Sequence, residues 1–149
     1  MALLRELRLE DLNKDYFCLL CQLSENKVAH PNLSRITPGM WMMYTLDENK
    51  KIFVWEYDGE IVGTASVLIE HKLLHYGSCI GHIEDVVVDK NTRQRGLGKG
   101  LIEACVNFCR KKSCYKIVLD CSDHNVPFYQ SCDFYGAGNC MRMDLDDSK

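Results

Sequence analysis

The chain has 149 residues, 18 Lys plus Arg against 21 Asp plus Glu, and 46% apolar residues. Its length suits one domain, 1–149, and the composition excludes disordered and fibrous classes; the mild acidity argues against a nucleic-acid partner while leaving room for a local basic pocket. No stretch approaches the roughly 18 apolar residues of a membrane span, and Arg5 and Glu6 interrupt the start before a signal-peptide core forms, so the expectation is a cytoplasmic chain with no membrane partner.

Residues 3–9 read as a first strand. Asp11 then caps a helix with an apolar face of Leu12, Phe17, Leu19, Leu20 and Leu23. A polar loop covers 24–37; a loop of that length in a compact domain is commonly functional. A second helix starts near Pro38 and carries Met40, Trp41, Met43, Tyr44 and Leu46. Two apolar runs, 51–57 and 60–70, meet at Asp58-Gly59, a strong hairpin signal. A further strand runs from about Cys79 to Val88. Residues 96–112 form a helix with Leu97, Leu101, Ile102, Cys105, Val106 and Cys109 on one face. Residues 115–121 are a short strand, 126–132 a short helix and 138–145 a last strand. The order predicts an α/β domain with a mixed sheet.

Nine cysteines, an odd number, fit reduced and mostly buried thiols. Cys18-Leu-Leu-Cys21 lies in an apolar helical run and has no second ligand pair at zinc spacing. It is read as two buried helix thiols, and no metal is expected.

The chemistry concentrates in Glu84-Asp-Val-Val-Val-Asp-Lys-Asn-Thr-Arg-Gln-Arg-Gly-Leu-Gly-Lys-Gly100. A strand ends, a basic glycine-rich turn follows, and a helix begins. Gly96 and Gly98 let backbone N–H groups face a ligand, and the helix N-terminus adds partial positive charge. Arg93, Arg95 and Lys99 add full charges, so the turn can cradle a pyrophosphate. A phosphate-binding P-loop is excluded, because Gly100 stands where Ser or Thr is needed and no glycine lies five residues before Gly98. A dinucleotide-binding turn is excluded too, since Leu101 replaces its third glycine. A tight turn with solvated basic side chains would carry the same residues.

Arg93-x-x-Gly96-x-Gly98, placed after a strand and opening a helix, resembles the acetyl-CoA signature of the GNAT N-acetyltransferases. Four further blocks narrow the resemblance: Ile69-Glu-His-Lys-Leu-Leu-His75, Gly81-His-Ile-Glu-Asp-Val-Val-Val88, Cys114-Tyr-Lys-Ile-Val-Leu-Asp-Cys121 and Asn125-Val-x-Phe-Tyr129. Together they are similar to the glucosamine 6-phosphate N-acetyltransferase family. The resemblance implies a GNAT fold, a mixed and mostly antiparallel sheet flanked by about four helices. It implies acetyl transfer from acetyl-CoA to the amine of glucosamine 6-phosphate, feeding UDP-N-acetylglucosamine synthesis. It also implies a homodimer with the sugar site near the subunit interface.

The site follows residue by residue. The turn Arg93, Gln94, Arg95, Gly96, Leu97, Gly98 and Lys99 would hold the pyrophosphate. Val86, Val87 and Val88 would pair with the pantetheine arm, and the Val86 N–H would serve as oxyanion donor. Asn125, Phe128 and Tyr129 would complete the cofactor side. Tyr129 would protonate the leaving thiolate, since a phenol stays protonated at neutral pH. Glu84 and Asp85 adjoin at a strand end, and alternation sends them to opposite faces unless the strand bulges. Either would relay the amine proton or bind sugar hydroxyls. Asp120 would lie near the amine. Lys72, His75, Tyr115 and Lys116 would read the phosphosugar acceptor.

Two departures bear on the acceptor. Asp144 stands where related enzymes carry an arginine for the phosphate, with Arg142 two residues earlier, and the 24–37 loop is longer than in relatives. The rival readings are an acetyltransferase for another small amine such as a polyamine, and a non-catalytic acyl-CoA-binding protein.

Overall fold

In the computed structural model the described residues are 1–23, 36–92 and 96–145. Most of the 24–37 loop and all of Arg93–Arg95 fall outside them. The chain divides into two units, Met1–Leu119 and Asp120–Lys149.

The first unit is a five-stranded sheet in the order β1-β2-β3-β4-β5. β1 (Ala2–Glu6), β2 (Lys50–Tyr57), β3 (Glu60–His71) and β4 (Cys79–Val88) run antiparallel to their neighbours. β5 (Cys114–Val118) is parallel to β4. The hairpin signal holds: Asp58 and Gly59 both have positive φ, 49° and 87°, as a two-residue turn matching strand twist requires. β3 and β4 are joined through α3 (Leu74–Gly77), a short segment the sequence did not announce. His75 and Tyr76 there adopt left-handed backbone, φ 52° and 60°.

The first strand stops at Glu6 rather than residue 9, because Leu9–Asp11 form a 3-10 turn. Asp11 does not cap the helix that follows. Its carboxylate accepts two hydrogen bonds from Arg5 at 2.6 and 2.8 Å, and Arg5 also reaches Glu56 at 2.7 Å. The Arg5 guanidinium holds the Asp11 carboxyl below its ordinary range. Asn13 takes over the cap of α1 (Lys14–Leu20), accepting from the N–H groups of Asp15 and Tyr16. Tyr16 and Phe17 pack with Leu7 and Val54, flanked by Leu12, Leu20 and Trp41. Leu23, expected on the buried face, is 43% exposed because the helix tightens into a 3-10 turn at Cys21–Leu23.

Thr37 caps α2 (Pro38–Leu46), with Pro38 in its first turn. Met40, Met42, Met43 and Leu46 on this helix are exposed. α4 (Leu97–Lys111) carries the strongest amphipathic pattern. Leu97, Leu101, Ile102, Cys105 and Cys109 are buried as the periodicity predicts, while Val106 is half-buried. They pack against β2, β3, β4 and β5. Leu101 and Ile102 are almost wholly enclosed, so truncating either to Ala costs about 2–5 kcal/mol.

In the second unit a 3-10 turn, Asp123–Asn125, leads into α5 (Val126–Gln130). The helix stops two residues short of the expected Cys132, and β5 stops at Val118 rather than 121. Residues 138–145 form no strand. Strand pairing needs a neighbour, and among the described residues this segment has no ladder partner; Met141, Met143 and Leu145 are 82–92% exposed.

All nine cysteines are free thiols. Only Cys79, Cys105 and Cys109 are fully buried, while Cys121 and Cys140 are exposed, so burial is narrower than expected. Cys18 and Cys21 are half-buried, because the 3-10 turn rotates Cys21 off the α1 face.

Candidate active site

The end of β4 is irregular. In the β3–β4 ladder Ser66 pairs with Glu84 and Thr64 with Val87, so Asp85 and Val86 together face Ala65. This is a bulge, and Asp85 sits in it with φ 51°. A bulge bends its strand and leaves an extra residue outside the ladder. As a result Glu84 and Asp85 are both exposed, between the buried Ile83 and Val87. Strict alternation would have hidden one of them. Val86 and Val88 are half-buried.

Below the bulge, Tyr16 is 4% exposed and its hydroxyl lies 3.4 Å from Thr64 Oγ1. Thr64 donates its own proton to the Phe53 carbonyl at 3.1 Å. A hydroxyl has one hydrogen to give, so Tyr16 is the donor to Thr64. Burial pushes the Tyr16 phenol above its ordinary range. This pair lies one residue from Ala65, where β3 faces the bulge.

Beyond β4, Asp89 organises the turn toward α4. It accepts from Gln22 Nε2 at 2.9 Å and from the Asn91 N–H at 2.9 Å, and the Lys90 N–H reaches back to Gln22 Oε1 at 3.2 Å. Gln22 holds the Asp89 carboxyl low. Arg93, Gln94 and Arg95 lie outside the described residues. Gly96 opens α4 with φ 70°, a conformation that suits glycine because a Cβ is penalised there. Leu97 is buried, and Lys99 is exposed. The first N–H groups of any helix lack intrahelical acceptors, so Gly96, Leu97 and Gly98 present donors suited to the diphosphate of acetyl-CoA.

A second cluster forms around α3. The His75 and Tyr115 rings lie 4.4 Å apart, and Lys116 Nζ lies 5.6 Å from the Tyr115 ring centroid. Three of the four expected phosphosugar residues are thereby brought together. Lys72 is held in an ion pair with Glu70, whose other oxygen is 2.7 Å from His82 Nε2. Lys72, then His82, holds the Glu70 carboxyl below its ordinary range. An ionised carboxylate only accepts, so His82 carries its proton on Nε2. The sequence reading gave His82 no role. The β3–β4 register, pairing Leu68 with His82 and Glu70 with Ile80, makes it a diagonal neighbour of Glu70.

In the second unit, Phe128 and Tyr129 form an edge-on pair with centroids 5.0 Å apart, and Phe134 meets Tyr129 at 6.2 Å. Both Phe128 and Tyr129 are half-buried. Asn125 stands before α5 but its side chain makes no capping bond. Asp120 does not end a strand. It lies two residues past β5, exposed, with Cys140 Sγ 3.7 Å from its Oδ2. Arg142 donates to Asp144 at 2.8 Å. Among the described residues no group of three or more His, Cys, Asp or Glu is arranged to hold a metal ion.

A mixed sheet whose fourth strand bulges and leads into a glycine-opened helix defines an acyl-CoA-dependent transferase of the GNAT type. Comparison agrees: the profile of the Acetyltransferase (GNAT) family matches residues 9–134, and the chain belongs to that family. Glucosamine 6-phosphate N-acetyltransferase from Trypanosoma brucei brucei is 45% identical over 95 residues, 64% of this chain and 65% of that protein. The enzyme of the same name from Arabidopsis thaliana is 37% identical over 130 residues, 87% of each chain. The crystal structure of glucosamine-6-phosphate N-acetyltransferase from Arabidopsis thaliana superposes with a TM-score of 0.84 at 34% identity, covering 98% of this chain and 99% of that one.

Proposed function

We propose that the chain transfers the acetyl group of acetyl-CoA directly to the amine of D-glucosamine 6-phosphate, within a ternary complex. The observation that carries this reading is the β4 bulge, which exposes Glu84 and Asp85 on the strand that leads toward the glycine start of α4. The family match runs across both units, which supports reading 1–149 as one domain. The product would feed UDP-N-acetylglucosamine synthesis in the cytoplasm.

In this mechanism Gly96–Gly98 and Lys99, together with Arg93, Gln94 and Arg95, hold the diphosphate. The Val86–Val88 backbone aligns the pantetheine arm, and the Val86 N–H stabilises the oxyanion as the sugar nitrogen attacks the thioester carbon. Glu84 or Asp85 takes the amine proton through water. The C–S bond breaks and Tyr129 protonates the departing thiolate. Asn125 and Phe128 support the cofactor, and Asp120 orients the amine. Lys72, His75, Tyr115 and Lys116 read the phosphate and sugar.

The acceptor end would be completed by a second copy of the chain. The exposed apolar side chains of α2 and the exposed, alternating Met141, Met143 and Leu145 favour a homodimer. One observation favours a different small amine as acceptor: Arg142 already spends its charge on Asp144. Product analysis separates the two. Acetyl-CoA and glucosamine 6-phosphate should give N-acetylglucosamine 6-phosphate and free CoA in equal amounts. Turnover of spermidine with none of the phosphosugar would reject the proposed acceptor.

A further inference from the structure

The start of α4 is an unusual place to demand accuracy. Gly96 caps it and Gly98 and Gly100 lie within its first four positions, and glycine has the most backbone freedom to lose on folding. A helix opened this way needs an anchor from outside itself. Trp55 on β2 supplies one. Its indole Nε1–H donates to the Leu97 carbonyl at 2.9 Å, across 42 residues of sequence. The ring also fills the space left by the missing side chain of Gly100. A Cβ built there would lie 3.0 Å from Trp55 Cζ2 and 3.2 Å from Nε1, tighter than a Cβ tolerates without the ring giving way. The Leu97 side chain is meanwhile 6% exposed in the core. Residue 97 is therefore held from two directions, by core packing and by the indole. The β2–β3 ladder shifts register beside Trp55, between its pairing with Gly63 and that of Glu56 with Ile61. A shift of this kind re-aims a side chain.

We propose that Trp55 is a positioning residue for the donor substrate: through Leu97 and Gly100 it fixes the Gly96–Gly98 amides that bind the acetyl-CoA diphosphate. This rests on the reading of that turn given under Proposed function. Trp55 touches no substrate in this account, so its removal should loosen diphosphate recognition while sparing the rest of the donor.

The test compares acetyl-CoA with S-acetylpantetheine, a thioester that lacks the diphosphate. In Trp55→Phe the KM for acetyl-CoA should rise about fivefold, the worth of one ordinary hydrogen bond. The kcat/KM for S-acetylpantetheine and the KM of the acceptor should stay within about twofold. Gly100→Ala, which displaces the indole while keeping it, should show the same selective loss, and it carries the test should Trp55→Phe fail to fold. An equal loss with both donors, or no change with either, overturns the positioning role. Gly98→Asp separates the two layers. If that variant keeps wild-type affinity for acetyl-CoA, the diphosphate reading itself falls. If it loses acetyl-CoA while Trp55→Phe and Gly100→Ala do not, only the role of Trp55 falls.

Discussion

The two regions of the first unit proposed to hold the donor and the acceptor are built differently. The donor region comprises a bulged strand end and a helix start, with buried neighbours in Val87, Leu97, Leu101 and the Tyr16–Thr64 pair. The acceptor region is a left-handed segment at His75 and Tyr76 beside an edge strand, with Leu73 fully exposed, Leu74 70% exposed and Tyr76 as open as in a free peptide. Left-handed non-glycine backbone persists only where its surroundings enforce it. Among the described residues the proposed donor segment is thus anchored by buried side chains, whereas the proposed acceptor segment is open to solvent. This follows from what each must recognise. A diphosphate is met by backbone N–H groups that a helix start provides locally, while a sugar phosphate is met by long cationic side chains that must be held in place.

The largest expected effect breaks the donor side. Gly98→Asp places a carboxylate among the diphosphate-binding amides and should weaken acetyl-CoA binding by about a hundredfold or more, read by calorimetry. Native-like affinity would show that the diphosphate lies elsewhere. Next comes the chemistry itself. Tyr129→Phe should lower kcat by about a hundredfold with little change in either KM, the mark of a general acid; an unchanged kcat with chemistry rate-limiting would remove that role. On the acceptor side, Lys72→Ala should raise KM for glucosamine 6-phosphate by about tenfold or more, the value of a charge-assisted bond, and leave KM for acetyl-CoA unchanged. Equal effects on both would dissolve the contrast between the regions.

The smallest effect on turnover comes from the scaffold. Asp11 and Arg5 have side chains only 8% and 12% exposed; Arg5 keeps its bonds to Glu56 when Asp11 is changed, so the loss is that of charge-assisted hydrogen bonds, about 1–3 kcal/mol. Asp11→Asn should therefore lower stability in urea while leaving the selectivity for donor and acceptor intact. Arg5 holds the folded carboxyl low, so its contribution is present above the unfolded carboxylate pKa of about 3.9. It disappears as pH falls through the lower folded value. The gap between wild type and variant should be full at neutral pH and close in acid; a gap that persisted there would assign the stabilisation to packing.

What the sequence made legible was local. The hairpin at Asp58-Gly59, the apolar stripe of α4 and the glycine start of that helix are each written within a few residues, and each stands as read. What it hid depended on distant partners. Asp11 looked like a helix cap, but Arg5 and Glu56 claim its carboxylate, so Asn13 caps instead. The bulge that exposes both Glu84 and Asp85 arises from the register of β4 against β3, which no run of residues displays. His82 acquires a role only when that same register sets it beside Glu70. Trp55 and Gly100 are unremarkable singly, and their fit shows only once α4 lies on β2. The segment 138–145 has strand-like alternation but no ladder partner among the described residues, so pattern alone did not suffice.

The most direct test offers equimolar glucosamine 6-phosphate, glucosamine and spermidine in separate assays with acetyl-CoA and follows CoA release. The account predicts rapid release with the phosphosugar, weak release with glucosamine and none with spermidine, because the Lys72 and Lys116 cations serve an anionic acceptor. Faster turnover of spermidine than of the phosphosugar would contradict it, leaving the donor site standing and reassigning the exposed carboxylates Glu84 and Asp85 to a cationic amine.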